Sequence, residues 1–187
     1  RMMLPGLIDS HMHPNQASVS EFDHPIPEMK SIQDVLDYIE FRVKVVPKGE
    51  WIWIRTVFVS RLSEQRYPTR TELDAVAPHH PVIFATYFIT PAASLNSLAL
   101  HHLGIDRDFQ GEEPGDIGRD PDSGEPTGIV KHHTRYIDDE GVTDPTNANE
   151  RRQQFIKLMH NFNAVGLTTI SDRNTLPKSI KLYKELL

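Results

Sequence analysis

Cysteine is missing from all 187 residues. That absence excludes disulfides and every thiolate metal site, so a bound metal must be held by histidine, carboxylate or a modified lysine. It agrees with a reducing compartment, and a cytoplasmic location is expected. Long apolar runs are missing too. No stretch approaches the roughly 20 residues of a membrane span, and the chain shows no signal-peptide pattern, so no membrane partner is expected. An excess of positive charge is also lacking: 20 Lys and Arg stand against 26 Asp and Glu, a net charge of −6. A nucleic-acid-binding protein ordinarily carries a basic face, so nucleic acid is not an expected partner. No internal repeat or low-complexity tract appears. With 38% hydrophobic and 25% charged residues, the chain has the ordinary balance of a globular protein with a real core.

What the chain does have is histidine, ten in all, and two of them are placed for chemistry. In Pro5-Gly6-Leu7-Ile8-Asp9-Ser10-His11-Met12-His13-Pro14, a short apolar run leads straight into His-x-His. Alternate side chains of a strand share a face, so His11 and His13 project together, roughly 6–7 Å apart along the backbone. Neutral imidazoles at that separation can converge on one metal ion. Asp9 has the same parity as His11, which makes it a candidate to hold a ring nitrogen of that ligand. Pro5-Gly6 is a turn signal, and Pro14 stops the strand.

Further along, strand and helix periods alternate, the pattern of βα units in an α/β fold with a parallel sheet. Asn15 to Lys30 reads as loop, with His24 in it as a solvent-exposed residue. Ser31, with Asp34 three residues on, opens a helix whose apolar stripe is Ile32, Val35, Leu36, Ile39 and Val43. Trp51 to Val59 reads as a strand rich in aromatic and β-branched residues. Arg61, Glu64, Gln65 and Arg66 read as a solvated ion-pair loop. Thr69 with Glu72 opens a short helix, Pro78-His79-His80-Pro81 reads as a surface turn, and Val82 to Thr86 as a strand covered on both faces. Asn96-Ser97 opens a helix that Gly104 ends, with His101 and His102 as structural residues of its last turn. Residues 106–128 are rich in Gly, Pro, Asp and Glu and read as loop, with a hairpin at Asp122-Ser123-Gly124. Asn147 caps a long helix that Gly166 ends. Leu167 to Asp172 is the next strand, and an amphipathic helix follows it. Asp172, at a strand's C-terminal end, is either a working residue or a turn aspartate.

PGLIDSHMHP resembles the first metal-binding strand of the amidohydrolase superfamily, Pro-Gly-x-x-Asp-x-His-x-His. The stretches PTRTELDAVAPHHPVIF, SLNSLALHHLGID, DPDSGEPTGIV and AVGLTTISD are similar, in the same order, to the amidohydrolase 3 (YtcJ-like) family of metal-dependent hydrolases. The resemblance implies a partial TIM (β/α)8 barrel. Residues 1–187 would form the N-terminal part of a barrel catalytic domain, with a loop-rich excursion at about 106–127. It implies a divalent metal, zinc foremost, as one or two ions in the complete enzyme, with His11 and His13 as ligands. The activity implied is hydrolysis of amide or cyclic amide C–N bonds of a small-molecule substrate. Length alone argues that the chain is a fragment, inactive by itself, because a full barrel of this kind takes roughly 200–250 residues. An incomplete barrel would expose an apolar edge, so a homo-oligomer is an expectation.

The chain departs from the family pattern at two places. The Gly-His that precedes Asn-Ser in the family has no counterpart in Tyr87 to Ser94, and the glutamate expected soon after Gly128-Ile129-Val130 is replaced by Lys131-His132-His133. Lys131 then becomes a candidate bridging ligand, and His132 a candidate ligand or substrate contact. Two alternatives stand beside the amidohydrolase reading. One is a phosphoesterase of the histidinol-phosphatase type, which opens with the same Asp-x-His-x-His. The other is a non-catalytic remnant of the scaffold.

Overall fold

The computed structural model describes residues 4–19, 26–55, 57–86, 92–137 and 148–186. In chain order the elements are β1 (Leu7–Met12), α1 (Pro14–Ala17), α2 (Ile32–Val45), β2 (Ile52–Ile54), α3 (Arg70–Val76), β3 (Val82–Thr86), β4 (Ala92–Leu95) and α4 (Ser97–His102). They are followed by β5 (Ile117–Arg119), β6 (Pro126–Lys131), α5 (Ala148–Ala164), β7 (Leu167–Asp172) and α6 (Pro177–Glu185). Single 3-10 turns lie at Val59–Arg61 and His133–Arg135. The chain divides into two compact units, residues 1–26 with 143–187, and residues 27–142. The expected roles of His24, Asn147 and the segment Tyr87 to Pro91 lie outside the described residues.

In the first unit β1 and β7 pair in parallel. The register runs Leu7 to Leu167, Ile8 to Thr169, Asp9 to Ile170 and Met12 to Asp172. It therefore slips once on β7 after Leu7, and once on β1 between Asp9 and Met12. A bulge bends its strand and re-aims the side chains beyond it; here it lies just before His13. The end of β7 is stitched to the end of β1, since the Arg173 N–H donates to the Met12 carbonyl at 2.9 Å and Arg173 Nε to the Ser10 carbonyl at 2.9 Å. Pro14 does stop the strand, and it does so by occupying the first position of α1, where a missing N–H costs nothing. Part of the segment expected as loop is therefore helical. In α5, Phe155 is the buried residue, and Gly166 follows the helix at φ 84°, a left-handed turn that suits glycine.

The second unit is built on a five-stranded sheet in the order β2-β3-β4-β6-β5. Only β2 and β3 are parallel; the pairings β3–β4, β4–β6 and β5–β6 are antiparallel. The expectation of a parallel sheet thus holds for β1–β7 and β2–β3 and is corrected for the rest. Only five residues, 87–91, separate β3 from β4 and only six, 120–125, separate β5 from β6, too few for the crossover of a dozen or more residues that would bring those strands back parallel. Within residues 106–128 the anticipated hairpin is real: β5 and β6 are joined through a turn in which Asp120 Oδ1 accepts from the N–H groups of Asp122 and Ser123. The strand expected over Trp51 to Val59 is confined to Ile52–Ile54, and Val59–Arg61 turns as a 3-10 helix.

Local signals set the helix starts. Ser31 with Asp34, and Thr69 with Glu72, form complete capping boxes. Arg66 adds a two-pronged ion pair to Glu72 at 2.8 and 2.9 Å, and that pair, with the Thr69 hydrogen bonds, holds the Glu72 carboxyl at about 2. Glu64 accepts from the Ile32 N–H at 3.0 Å. The polar loop carries an ion pair, Arg66 with Glu72, as expected, and through Glu64 and Arg66 it also supports two helix starts. The stripe Ile32, Val35, Leu36 and Ile39 is buried, with Tyr38 beside it, while Val43 is half-buried.

The surface-turn reading of His79-His80 is corrected at His80, which is 3% exposed with Nδ1 3.1 Å from the Glu50 carbonyl oxygen. The organiser of that corner is Asn96, fully buried. Its Oδ1 accepts from the N–H groups of Val82 at 3.0 Å and Ala99 at 2.9 Å, and its Nδ2 donates to the carbonyls of Ala77 at 3.2 Å and His80 at 2.8 Å. One side chain thereby caps α4, ends α3 and anchors β3. Replacing Asn96 with alanine strands the buried N–H groups of Val82 and Ala99 and the His80 carbonyl, and leaves the Ala77 carbonyl only the long 3.4 Å bond from the His80 N–H. We expect a loss of about 3 kcal/mol in urea unfolding, and a loss below about 1 kcal/mol would contradict this account.

Candidate metal centre

The two histidines of the opening motif come together at the C-terminal end of β1. Their ring centroids are 5.5 Å apart with the planes at 75°. His11 is the exposed one; His13, half-buried, stands one residue beyond the strand as the residue that precedes α1. His13 Nδ1 is buried and has no hydrogen-bond partner among the described residues. An imidazole nitrogen left that way costs about 1–3 kcal/mol, a cost that coordination to a cation would remove. The donor set also suits a metal: two imidazoles and no thiol favour zinc and its neighbours.

Asp9 is placed differently from the expectation. Its Oδ1 accepts from the backbone N–H of His11 at 2.9 Å, so it holds the backbone of that residue rather than a ring nitrogen. Asp172, by contrast, stands at the C-terminal end of β7 opposite Met12, between the two histidines in register. Burial pushes its carboxyl up. The Tyr183 hydroxyl, donating at 2.6 Å, the Asn174 N–H at 2.9 Å and the nearby His13 ring outweigh that and hold it below the usual carboxylate range. Burial, and then the Asp172 charge, push the Tyr183 phenol up. Sequence reading named Asp172 as either a working residue or a turn aspartate and did not single out Tyr183, since a tyrosine in an amphipathic helix gives no sign of what its hydroxyl meets.

The second unit carries a separate cluster. Ligand-capable atoms of Glu113, Asp116 and His132 lie within 4.8 Å of one another, the one such group of three among the described residues. Asp116 is 2% exposed. Its Oδ1 meets His132 Nδ1 at 2.9 Å, and the Tyr136 hydroxyl donates to its Oδ2. The Tyr136 hydroxyl above all, against the pull of burial and with His132 behind it, holds this carboxyl low. A positive charge is already present: Arg135 lies 2.8 Å from Glu113 and 3.6 Å from Asp116 Oδ2. His132 takes a left-handed backbone, φ 49° and ψ 37°, uncommon outside glycine. Lys131 ends β6 with an exposed side chain, while its N–H donates to the Asp116 carbonyl at 2.7 Å. His132 was a sequence candidate; Asp116 and Glu113 were not, because two more acidic residues in an acidic loop carry no distinguishing signal.

The profile of the amidohydrolase family matches residues 1–186. An N-substituted formamide deformylase of Arthrobacter pascens is 33% identical over 192 residues, covering 98% of this chain and 34% of that protein. A putative amidohydrolase, YtcJ, of Bacillus subtilis strain 168 is 28% identical over 129 residues, covering 69% of this chain and 24% of that protein. The crystal structure of an uncharacterised metal-dependent hydrolase from Pyrococcus horikoshii overlays with a TM-score of 0.47 at 21% identity, over 97% of this chain and 33% of that one. The chain thus spans about a third or less of the length of these relatives.

Proposed function

From the premise that this chain belongs to the amidohydrolase 3 family, we propose that it carries the opening metal-binding strand of a hydrolase that cleaves C–N bonds of small amides. The observation that carries this reading is the His11–His13 pair at the end of β1, rings 5.5 Å apart and His13 Nδ1 buried without a partner. Zinc is the ion we propose. When bound, such an ion supplies a Lewis acid for a carbonyl and a means of acidifying water. His11 and His13 contribute two imidazole nitrogens to it, and Asp9 steadies the backbone from which His11 projects. Asp172, ionised and beside His13, adds negative charge that favours a cation there. Two ligands fall short of the three protein ligands usual for catalytic zinc, so we place the others outside the described residues.

We read β1 and β7 as strands of a partial TIM barrel, with a loop-rich excursion from it at about 106–127. Parallel strands are ordinarily covered on both faces, yet Leu7 and Ile8 of β1 are 61% and 71% exposed, which supports further covering structure in the complete protein. No described helix is long and apolar enough to cross a membrane.

Small N-substituted formamides are the substrates to try, since the deformylase relative is named for them. Purified full-length protein is expected to hold divalent metal stoichiometrically and to release formate from N-substituted formamides. A chelator should abolish that release and zinc restore it. Full activity in metal-free protein, or release of phosphate from an aryl phosphate in place of formate, would overturn the reading.

A further inference from the structure

The polar residues around the histidine pair are held from one side by a single helix. Ser179 and Tyr183 lie four residues apart on α6, so they share a face. Ser179 is 1% exposed, and its Oγ accepts from Asn15 Nδ2 at 3.1 Å. Tyr183 donates to Asp172 Oδ2 at 2.6 Å, and its ring packs against Phe155 with centroids 5.3 Å apart. Asn15 follows His13 by two residues, and Asp172 lies opposite Met12 across β1–β7. Both residues held by α6 therefore flank the His-x-His turn, one from each strand end. With Nδ2 committed to Ser179, the amide of Asn15 has a fixed orientation, and its Oδ1 is buried with no partner among the described residues. Together with His13 Nδ1, that makes two unsatisfied buried polar atoms two residues apart in sequence.

We propose that α6 is the positioning helix of this centre, its Ser179 and Tyr183 hydroxyls fixing Asn15 and Asp172 beside His11 and His13 so that the site is organised before a metal arrives. The inference rests on the metal-binding reading above. Ser179, Tyr183 and Asp172 are positioning residues, and they act through geometry and charge rather than by touching substrate. Groups of this kind, one step out from the ligands, typically set metal affinity by about 10–100-fold.

The test is zinc affinity, measured by chelator competition on the full-length protein, and it needs no turnover. Tyr183→Phe keeps the ring against Phe155 and removes only the hydroxyl; Asp172→Asn keeps shape and removes the charge. We expect zinc to bind about tenfold more weakly in Tyr183→Phe and about 10–100-fold more weakly in Asp172→Asn, with the far-ultraviolet circular dichroism of both unchanged. Because Tyr183 acts through Asp172, the double variant should bind no more weakly than Asp172→Asn alone. Wild-type affinity within twofold in both single variants would overturn the inference while leaving the metal-binding reading intact. Additive losses in the double variant would overturn the coupling. A wild-type protein that holds no zinc would overturn this inference and the reading beneath it together.

Discussion

His13→Ala, and separately His11→Ala, is expected to strip the full-length protein of its tightly held metal and to lower amide hydrolysis on the order of a thousandfold or more. The estimate is bounded from below. Losing a group one step out from a metal costs roughly 10–100-fold, and losing a ligand must cost more, because each imidazole is half of what β1 supplies. The two substitutions should differ in stability even though they agree in activity. His11 is exposed and its removal leaves no buried hole, whereas His13 is half-buried with an orphaned Nδ1. Truncating His13 removes an unsatisfied polar atom, so the metal-free His13→Ala protein should be no less stable than metal-free wild type. Elemental analysis, formate release and thermal unfolding, each with and without chelator, measure the three quantities. Stoichiometric metal with more than a tenth of wild-type turnover in either variant would contradict the assignment of these histidines as ligands.

Gly128→Ala is expected to destabilise the second unit by about 3 kcal/mol or more, enough to lower the yield of folded protein. Gly128 lies buried in β6 at φ 97°, beyond even the left-handed region that an L-residue can enter at a cost of about 1–2 kcal/mol. A Cβ there would stand 2.5 Å from the carbonyl oxygen of Leu95 and 3.0 Å from Arg70 Cβ. The first contact is with backbone and cannot be relieved by rotating a side chain. It can be relieved only by moving β6 away from the end of β4, where Ser94 pairs with Ile129, and from α3, whose Arg70 donates to the Pro126 carbonyl at 2.8 Å. Gly104 provides the comparison. It also has a positive φ, 67°, but an added Cβ meets nothing within 4 Å, so Gly104→Ala should cost only about 1 kcal/mol. Urea unfolding of the two variants side by side separates steric from torsional cost. Equal losses would show that the Leu95 contact does not matter.

The sequence by itself determined the features whose causes lie within a few residues. Ser31 with Asp34 and Thr69 with Glu72 start helices because the capping groups are three residues apart and find each other as soon as the turn forms. Asn96 announces α4, and Asp122-Ser123-Gly124 announces a hairpin, for the same reason. The sequence puts His11 and His13 two residues apart at the end of a strand, while the bulge in β1 and the non-extended backbone of His13, φ −127° and ψ 67°, set how the two rings meet. Tertiary structure decided whatever depends on partners distant along the chain. No local signal says that β4 runs back against β3 rather than crossing over, or that Val57 to Val59 leaves the strand. Nor could one say that His80 is drawn under by the Glu50 carbonyl and the amide of Asn96. Asp9, which has the parity to hold a ring nitrogen, bonds instead to the nearer backbone N–H, and the bulge before Met12 is set by the register with β7. Asp116 with His132, and Asp172 with Tyr183, are hydrogen-bonded pairs of common surface residue types. Only burial, which removes water as the competing partner, turns such pairs into ordered sites.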